Sequence, residues 1–197
     1  MADRILVFYG SYRSDRTGIR LANYIMAGLR ALGAEPELID AKVVGLPMLD
    51  RMYKEYPAGT APQAMETLAG KIRDADAFLF VVGEYNWNVQ AGLKNLVDHY
   101  LEEWAWRPGA IASYSAGRVA GARASLAWHG ILPELGIAVV PRTLTVGSIG
   151  DALDAGGVPT GAGGAALEKA FPRFVEDLAW WTAATRGARA RGVPGSS

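Results

Sequence analysis

Residues 4–18 read RILVFYGSYRSDRTG, an apolar run followed directly by a polar loop that ends at Gly18. The run has the continuous hydrophobicity of a strand that is covered on both faces. Apolar residues then recur at helical spacing as far as Gly33. In such a strand–loop–helix junction, backbone N–H groups point outward beside the positive end of the helix dipole, which favours an anion. The stretch therefore predicts a phosphate-binding loop after a buried first strand.

The side chains of this loop also suit a phosphate. Ser11 and Thr17 can donate hydroxyl hydrogen bonds, and Arg13 and Arg16 can add charge-assisted ones. The spacing matches neither the glycine-rich dinucleotide turn nor the P-loop. Two interpretations stay open here: a phosphate site, or a plain turn with capping hydroxyls and solvated arginines. Asp15 is unexpected in an anion site, and it can pair with Arg16 or accept from a backbone N–H.

Strands and helices alternate along the remaining chain. Further strands are predicted at 36–40, 77–82, 110–114 and 137–146, and further helices at 63–74, 93–104, 119–135 and 167–181. Alternation implies parallel pairing and right-handed crossovers, hence a three-layer α/β/α sandwich. A five-stranded parallel sheet favours the flavodoxin-like order 2-1-3-4-5 over the six-stranded dinucleotide fold, with ligands beyond the first and third strands. Residues 41–62 are predicted to form a long loop.

Length and composition limit the number of domains and the kinds of function that this chain can have. One domain is predicted over residues 1–185, followed by a disordered tail at 186–197 that is rich in Gly, Ala and Arg. Twenty basic and twenty acidic residues give zero net charge, which argues against a nucleic-acid partner. The absence of cysteine excludes disulfides and iron–sulfur ligation, and the isolated His99 and His129 predict no metal site. Without a signal peptide or a membrane-spanning run, we expect a cytoplasmic protein without membrane contact.

The exit of the third predicted strand is a second ligand loop. Residues 83–95 read GEYNWNVQAGLKN, with two aromatic residues at the point where the topology predicts a cofactor. Tyr85 and Trp87 can offer apolar faces to a planar ring, while asparagine side chains and backbone groups can match its edge. The alternative is a surface turn at a subunit contact. Agreement with the first loop favours the cofactor.

Gly-Ser-x-Arg after the first strand, together with Glu-Tyr-Asn…Leu-Lys-Asn-x-x-Asp after the third, resembles the NADPH-dependent FMN reductase family of flavodoxin-like proteins. The resemblance extends from residue 4 to about residue 183. The usual exit in that family reads Pro-Glu-Tyr-Asn-Gly/His-Ser-x-Pro-Gly. This chain departs from it at Gly83, Trp87, Asn88, Gln90 and Ala91.

The resemblance implies non-covalently bound FMN, with its phosphate in the 11–18 loop and its isoalloxazine against residues 84–87. The loop at 115–117 would close the pyrimidine end. The cofactor-binding residues implied in this way are Ser11, Arg13, Arg16, Thr17, Gly18, Glu84, Tyr85, Asn86, Trp87, Ser115 and Gly117. No side chain is given an acid–base role, because the flavin carries the chemistry.

The resemblance also implies an activity. NADPH would reduce the bound FMN, and a flavin, quinone or azo compound would reoxidise it in a ping-pong cycle. Family members assemble as homodimers or homotetramers, so a homo-oligomer is expected. The alternatives are a flavodoxin-type electron carrier, whose acidic docking face a chain of zero net charge does not suggest, and a cofactor-free binding protein on the same fold.

Overall fold

In the computed structural model, which describes residues 2–194, one parallel sheet of six strands carries helices on both faces. Its strands are β1 (Arg4–Tyr9), β2 (Glu35–Asp40), β3 (Ala77–Gly83), β4 (Pro108–Tyr114), β5 (Ala138–Val139) and β6 (Leu144–Val146). Its helices are α1 (Ile19–Ala31), α2 (Ala41–Val44), α3 (Gln63–Asp74), α4 (Ala91–Asp98), α5 (Ala122–Glu134), α6 (Ile149–Ala152) and α7 (Gly161–Arg189), with 3₁₀ turns at Tyr53–Glu55 and Glu102–Trp104.

The strand order confirms the predicted topology. The sheet runs β2-β1-β3-β4-β5, and every pair is parallel. The predicted fifth strand, 137–146, is instead two short strands: β5 pairs with the start of β4, and β6 pairs with its end. Pro141 lies between them. Because proline has no N–H to donate to a ladder, it interrupts the pairing there.

Each face of the sheet is covered by its own apolar layer. Val7 and Leu79 face α1 and α7, whereas Phe8 and Phe80 face α3, α4 and α5. On the second face the rings of Phe8 and Phe80 stack with centroids 5.2 Å apart. Trp104 is fully buried, and its ring centroid lies 5.2 Å from that of Phe8. This tryptophan is therefore a core residue.

The segment 41–62 is more ordered than a plain loop. It begins with α2, whose N-cap Asp40 accepts a hydrogen bond of 3.0 Å from the backbone N–H of Lys42, and it contains a 3₁₀ turn. Asp40 is 6% exposed. The end of β2 and the start of this segment are thus fixed beside the carboxyl edge of the sheet.

The last helix continues beyond the predicted domain boundary. α7 passes through Pro172 without interruption and includes residues 186–189, which were expected to begin a disordered tail. Arg186 pairs with Asp3, and Arg189 lies 3.5 Å from Asp76, so these side chains tie the end of the helix to the start of the sheet. Residues 195–197 of the predicted tail lie outside the described part. None of the described helices is long and apolar enough to cross a bilayer.

We expect Trp104→Ala to lower the free energy of unfolding by about 3–5 kcal/mol, because it empties a large site in the aromatic layer. Trp180→Ala is the matched control, since that indole is 64% exposed, and its expected cost is about 0.5 kcal/mol or less. Urea denaturation followed by circular dichroism measures both. Equal costs at the two positions would contradict a core role for Trp104.

Candidate functional site

The carboxyl ends of β1, β3 and β4 open onto a cavity of about 400 Å³. Three loops build it: 10–18 after β1, 84–90 after β3 and 115–121 after β4. Its lining residues are Ser11, Arg13, Asp15, Arg16, Thr17, Glu84, Tyr85, Asn86, Tyr114, Ser115 and Ala116. The structure therefore brings together three loops that are far apart in sequence, and most of the predicted site residues lie in one place.

Some predicted residues lie beside the cavity but do not line it. Gly18, Trp87 and Gly117 are in this group. A Cβ atom at Gly18 would overlap the Tyr114 ring, so this glycine makes room for that side chain. The carbonyl of Gly117 accepts a hydrogen bond of 2.7 Å from the Ser115 hydroxyl, which orders the third loop.

Backbone donors of the first loop are unused. Among the described residues, no backbone N–H from 11 to 18 donates to a protein acceptor. Backbone N–H groups are rarely left unpaired away from water, and successive free ones form a concave anion site. Helix α1 follows at once and adds the positive end of its dipole. This arrangement fits a phosphate group.

The two arginines of the first loop differ in whether they have a partner within the protein. Nη1 of Arg16 lies 2.8 Å from Oδ1 and 2.6 Å from Oδ2 of Asp40, so its charge is neutralised and it ties the loop to the end of β2. Arg13 has no hydrogen bond or ion pair with any described residue, and it lines the cavity. Asp15 does not pair with Arg16, nor does it accept from a described backbone N–H. Arg13 is thus the cation of this loop that remains available to a ligand.

A layer of neutral hydroxyl groups lies beneath the cavity. The Ser11 and Tyr85 hydroxyls are 2.7 Å apart and join the first loop to the second. Tyr114 is 6% exposed, and burial raises its pKa above the ordinary phenol value, as it does for Tyr9. These phenols therefore stay protonated and remain hydrogen-bond donors. Tyr114 was not predicted as a site residue, because it reads only as the last residue of an apolar strand.

The second loop turns sharply through two left-handed residues. Asn86 has φ 48° and Trp87 has φ 75°. Tyr85 N–H donates to the Asn88 carbonyl at 2.8 Å, and Asn88 N–H donates back at 3.1 Å. Asparagine tolerates this conformation, whereas it is uncommon for a bulky side chain. The turn therefore carries strain at Trp87.

Trp87 is held from one side only. The Arg123 guanidinium lies 4.5 Å from the centroid of its ring, and Arg123 also pairs with the Glu84 carboxylate. The indole is 69% exposed. Arg123 comes from α5, 39 residues from Glu84, so no local sequence signal identifies it. The outer face of the indole remains open at the rim of the site.

A second, more apolar cavity of about 280 Å³ adjoins the first. The two share Arg13 and Tyr85. Its other lining residues are Gly10, Tyr12, Leu46, Met48, Gln90, Ala91, Gly92 and Asn95. The Asn95 side-chain amide is bonded at both its oxygen and its nitrogen, because it accepts from Leu49 N–H at 2.9 Å and donates to the Pro47 carbonyl at 2.8 Å. The 41–62 segment thus forms one wall of this cavity.

Neither histidine lines one of these two cavities. Nδ1 of His99 contacts the Asn95 carbonyl at 2.7 Å, and Nδ1 of His129 contacts the Ser125 carbonyl at 2.8 Å. Within residues 2–194, no group of three or more His, Cys, Asp or Glu side chains is placed to hold a metal ion. Both histidines have the local contacts of structural residues.

Comparison with known proteins identifies a family. The family model described as NADPH-dependent FMN reductase matches residues 4–151. A 2-hydroxy-1,4-benzoquinone reductase from Burkholderia sp is 30% identical over 145 residues, which cover 71% of this chain and 75% of that protein. An NADPH:quinone oxidoreductase from Arabidopsis thaliana is 34% identical over 119 residues, 58% of this chain and 59% of that relative. The chain thus spans about three fifths of the length of the Arabidopsis protein.

Solved structures support the fold. The flavoenzyme FerB, an NAD(P)H:(acceptor) oxidoreductase from Paracoccus denitrificans, superimposes with a TM-score of 0.71 at 21% identity. The superposition covers 91% of this chain and 99% of FerB. At this identity the likeness establishes the shared fold.

We expect Trp87→Gly to be more stable than Trp87→Val by about 1–2 kcal/mol, because glycine escapes the cost of the left-handed conformation. Urea denaturation of both variants measures the difference. The exposed helical residue Trp180 provides the control. There, valine should be the more stable replacement, because glycine is the poorer helix former. The same order at both positions would argue against strain at Trp87.

Proposed function

Because the chain belongs to the NADPH-dependent FMN reductase family, we propose that it is an oxidoreductase that binds FMN non-covalently and uses NAD(P)H to reduce a small-molecule acceptor. The acceptor class we propose is flavins, quinones or azo compounds. The matched region, residues 4–151, contains all three loops around the cavity. Two of the relatives are named as quinone reductases, which supports the quinone class.

The unpaired N–H groups of residues 11–18 are the observation that carries this proposal. They lie at the end of β1, next to β3 in the sheet, where flavodoxin-like folds bind their ligand. Arg13 adds an available positive charge, and Ser11 and Thr17 add hydroxyl groups. A phosphate monoester supplies the negative charge and the acceptor oxygens that these donors can bind.

The other two loops suit the ring of the cofactor. Tyr85 and Asn86 line the cavity from one side, and Ser115 and Ala116 line it from the other. Bound FMN supplies a ring that can take up a hydride and pass it on. The protein's part is to bind and orient it, and the Glu84 carboxylate is neutralised by Arg123, so it does not repel an anionic ligand.

The second cavity is our candidate for the acceptor slot. It is apolar, it adjoins the first cavity at Arg13 and Tyr85, and Met48 forms part of its wall. Trp87 at the rim adds an open aromatic face. Ligand pockets of this kind combine apolar walls with few polar groups. NADPH and the acceptor would use this opening in turn.

We further propose that the chain forms a homodimer or a homotetramer. Met48 is 78% exposed and Trp87 is 69% exposed, and both lie near the mouth of the site. Large apolar side chains at the rim of a site suit a contact with a second copy.

Arg13→Ala should weaken FMN binding by about 1–3 kcal/mol, the scale of a lost charge-assisted hydrogen bond. Arg173→Ala is the control, since Arg173 lies on α7 and its side chain is 68% exposed. Titration of apoprotein with FMN, followed by flavin fluorescence, gives both dissociation constants. An unchanged constant for Arg13→Ala would exclude this arginine from the phosphate site.

The function itself is tested by visible absorption. Purified protein is mixed with FMN, desalted, and treated anaerobically with NADPH. We expect a retained yellow band that bleaches, because the proposed site holds the cofactor and admits the reductant. Retention without bleaching would favour an electron carrier. No retention would favour a cofactor-free binding protein.

Initial rates at varied NADPH and quinone then test the order of the reaction. Parallel lines in a double-reciprocal plot are expected if the two substrates occupy the same opening in turn. Intersecting lines would contradict a ping-pong cycle.

A further inference from the structure

The side chain of Gln90 joins the ends of two neighbouring strands. It is fully buried at the N-cap of α4. Its Oε1 accepts a hydrogen bond of 2.8 Å from Gly83 N–H, and its Nε2 donates one of 3.0 Å to the Tyr114 hydroxyl. Gly83 and Tyr114 are register partners at the ends of β3 and β4. The carboxamide therefore links the carboxyl ends of β3 and β4, from which the second and third loops of the cavity leave.

The hydrogen bond between Gly83 and Gln90 requires a residue at position 83 that has an N–H group and no side chain. A proline at position 83 would have no N–H to donate to Gln90. A Cβ atom there would lie 2.7 Å from Gln90 Nε2 and from the Tyr114 hydroxyl. Both positions are among those where this chain departs from the usual exit of the resembling family, which has proline at each. The carboxamide bridge is thus a feature of this chain.

The bridge also reaches the first loop. The Tyr114 hydroxyl has the Tyr9 hydroxyl as a neighbour. Tyr9 in turn donates to the Arg16 carbonyl at 3.3 Å. The Tyr114 ring fills the space that Gly18 leaves open. One buried amide therefore supports, through Tyr114, a chain of contacts that extends to the proposed phosphate loop.

We propose that Gln90 is a positioning residue for the cofactor: it holds Tyr114 and the start of the second loop at a fixed separation, and so sets the gap between the loops that receive FMN. This inference rests on the proposed function. Gln90 acts through Tyr114 and Gly83. A neutral amide suits the task, because it can accept from a backbone N–H and donate to a hydroxyl without placing a charge beneath the cavity.

Gln90→Leu and Gln90→Glu separate positioning from packing. Leucine keeps most of the volume but loses both hydrogen bonds, so FMN should bind about tenfold more weakly or worse. A protonated carboxyl group can accept from Gly83 and donate to Tyr114, as the carboxamide does, whereas an ionised one only accepts and adds a negative charge beneath the cavity. Burial raises the pKa of an introduced carboxyl group. The Gln90→Glu variant should therefore bind FMN like the wild type at low pH and lose affinity as pH rises.

The experiment measures FMN dissociation constants by fluorescence from pH 5 to 9 for the wild type and each variant. Dividing each variant's dissociation constant by that of the wild type at the same pH removes the effect of the titration of the FMN phosphate. The other titratable groups that face this site, the phenols of Tyr9, Tyr85 and Tyr114 and the carboxylates of Asp15 and Glu84, are present in both proteins. Gln63→Leu is the matched control, since Gln63 is exposed on α3.

Two results support the proposal: weaker binding by Gln90→Leu but not by Gln63→Leu, and a Gln90→Glu dissociation constant at pH 5 that matches the wild type, because the protonated carboxyl group restores both hydrogen bonds. A Gln90→Leu constant within twofold of the wild type, or a Gln90→Glu constant at pH 5 as weak as that of Gln90→Leu, overturns it. If Gln90→Leu does not fold, Gln90→Met replaces it, since methionine keeps the length of the side chain but makes neither hydrogen bond, with Gln63→Met as its control. A wild type that does not bind FMN overturns the proposed function instead.

Hydrogen exchange of the Gly83 amide gives a readout that needs no cofactor. It should be faster in Gln90→Leu than in the wild type, because the amide loses its acceptor. Equal exchange rates would show that the carboxamide does not hold this loop and would overturn the proposal.

Discussion

Burial of the central sheet on both faces is the constraint on which the rest of the structure depends. Every residue of β3 and β4 is buried, and only Arg4 of β1 is exposed. Backbone groups within these strands are satisfied by their neighbours, and their side chains are mostly apolar. Groups that can bind a ligand are therefore displaced to the loops where the strands end. The order β1-β3-β4 then places three such loops side by side.

This constraint explains why much of the fold could be predicted. A strand covered on both faces leaves a continuous apolar run, and residues 77–82 show it clearly. The division of the predicted strand 137–146 did have a sequence signal, because Pro141 and Arg142 interrupt its apolar run, and the prediction of one strand gave that signal no weight. The 186–189 boundary was misplaced because small residues and arginines do not reveal a helix that is anchored by ion pairs with Asp3 and Asp76.

The loops that form the candidate site could be predicted from the sequence, but the pairings between their side chains could not. Ser11, Arg13 and Tyr85 stand in recognisable local patterns. The partner of Arg16 lies 24 residues away at Asp40, and nothing local chooses between Asp40 and the nearer Asp15. Tyr114 and Gln90 carry no local ligand signal, since their roles arise only when β3 and β4 pair. Sequence patterns identify which loops hold the chemistry, whereas the fold decides how each side chain is used.

The pairings also determine the charge that a ligand meets. Arg16 is neutralised by Asp40, and Arg123 and Glu84 neutralise each other. The contacts that hold the loops together, through Ser11, Tyr85 and Gln90, are made by neutral groups. A charged residue in their place would be costly to bury. It would also change the electrostatic potential that the N–H groups of residues 11–18 create. Because the support is neutral, the potential at the end of β1 is set by the free N–H groups and Arg13, which favour an anion, and by the Asp15 carboxylate, unpaired among the described residues, which opposes one.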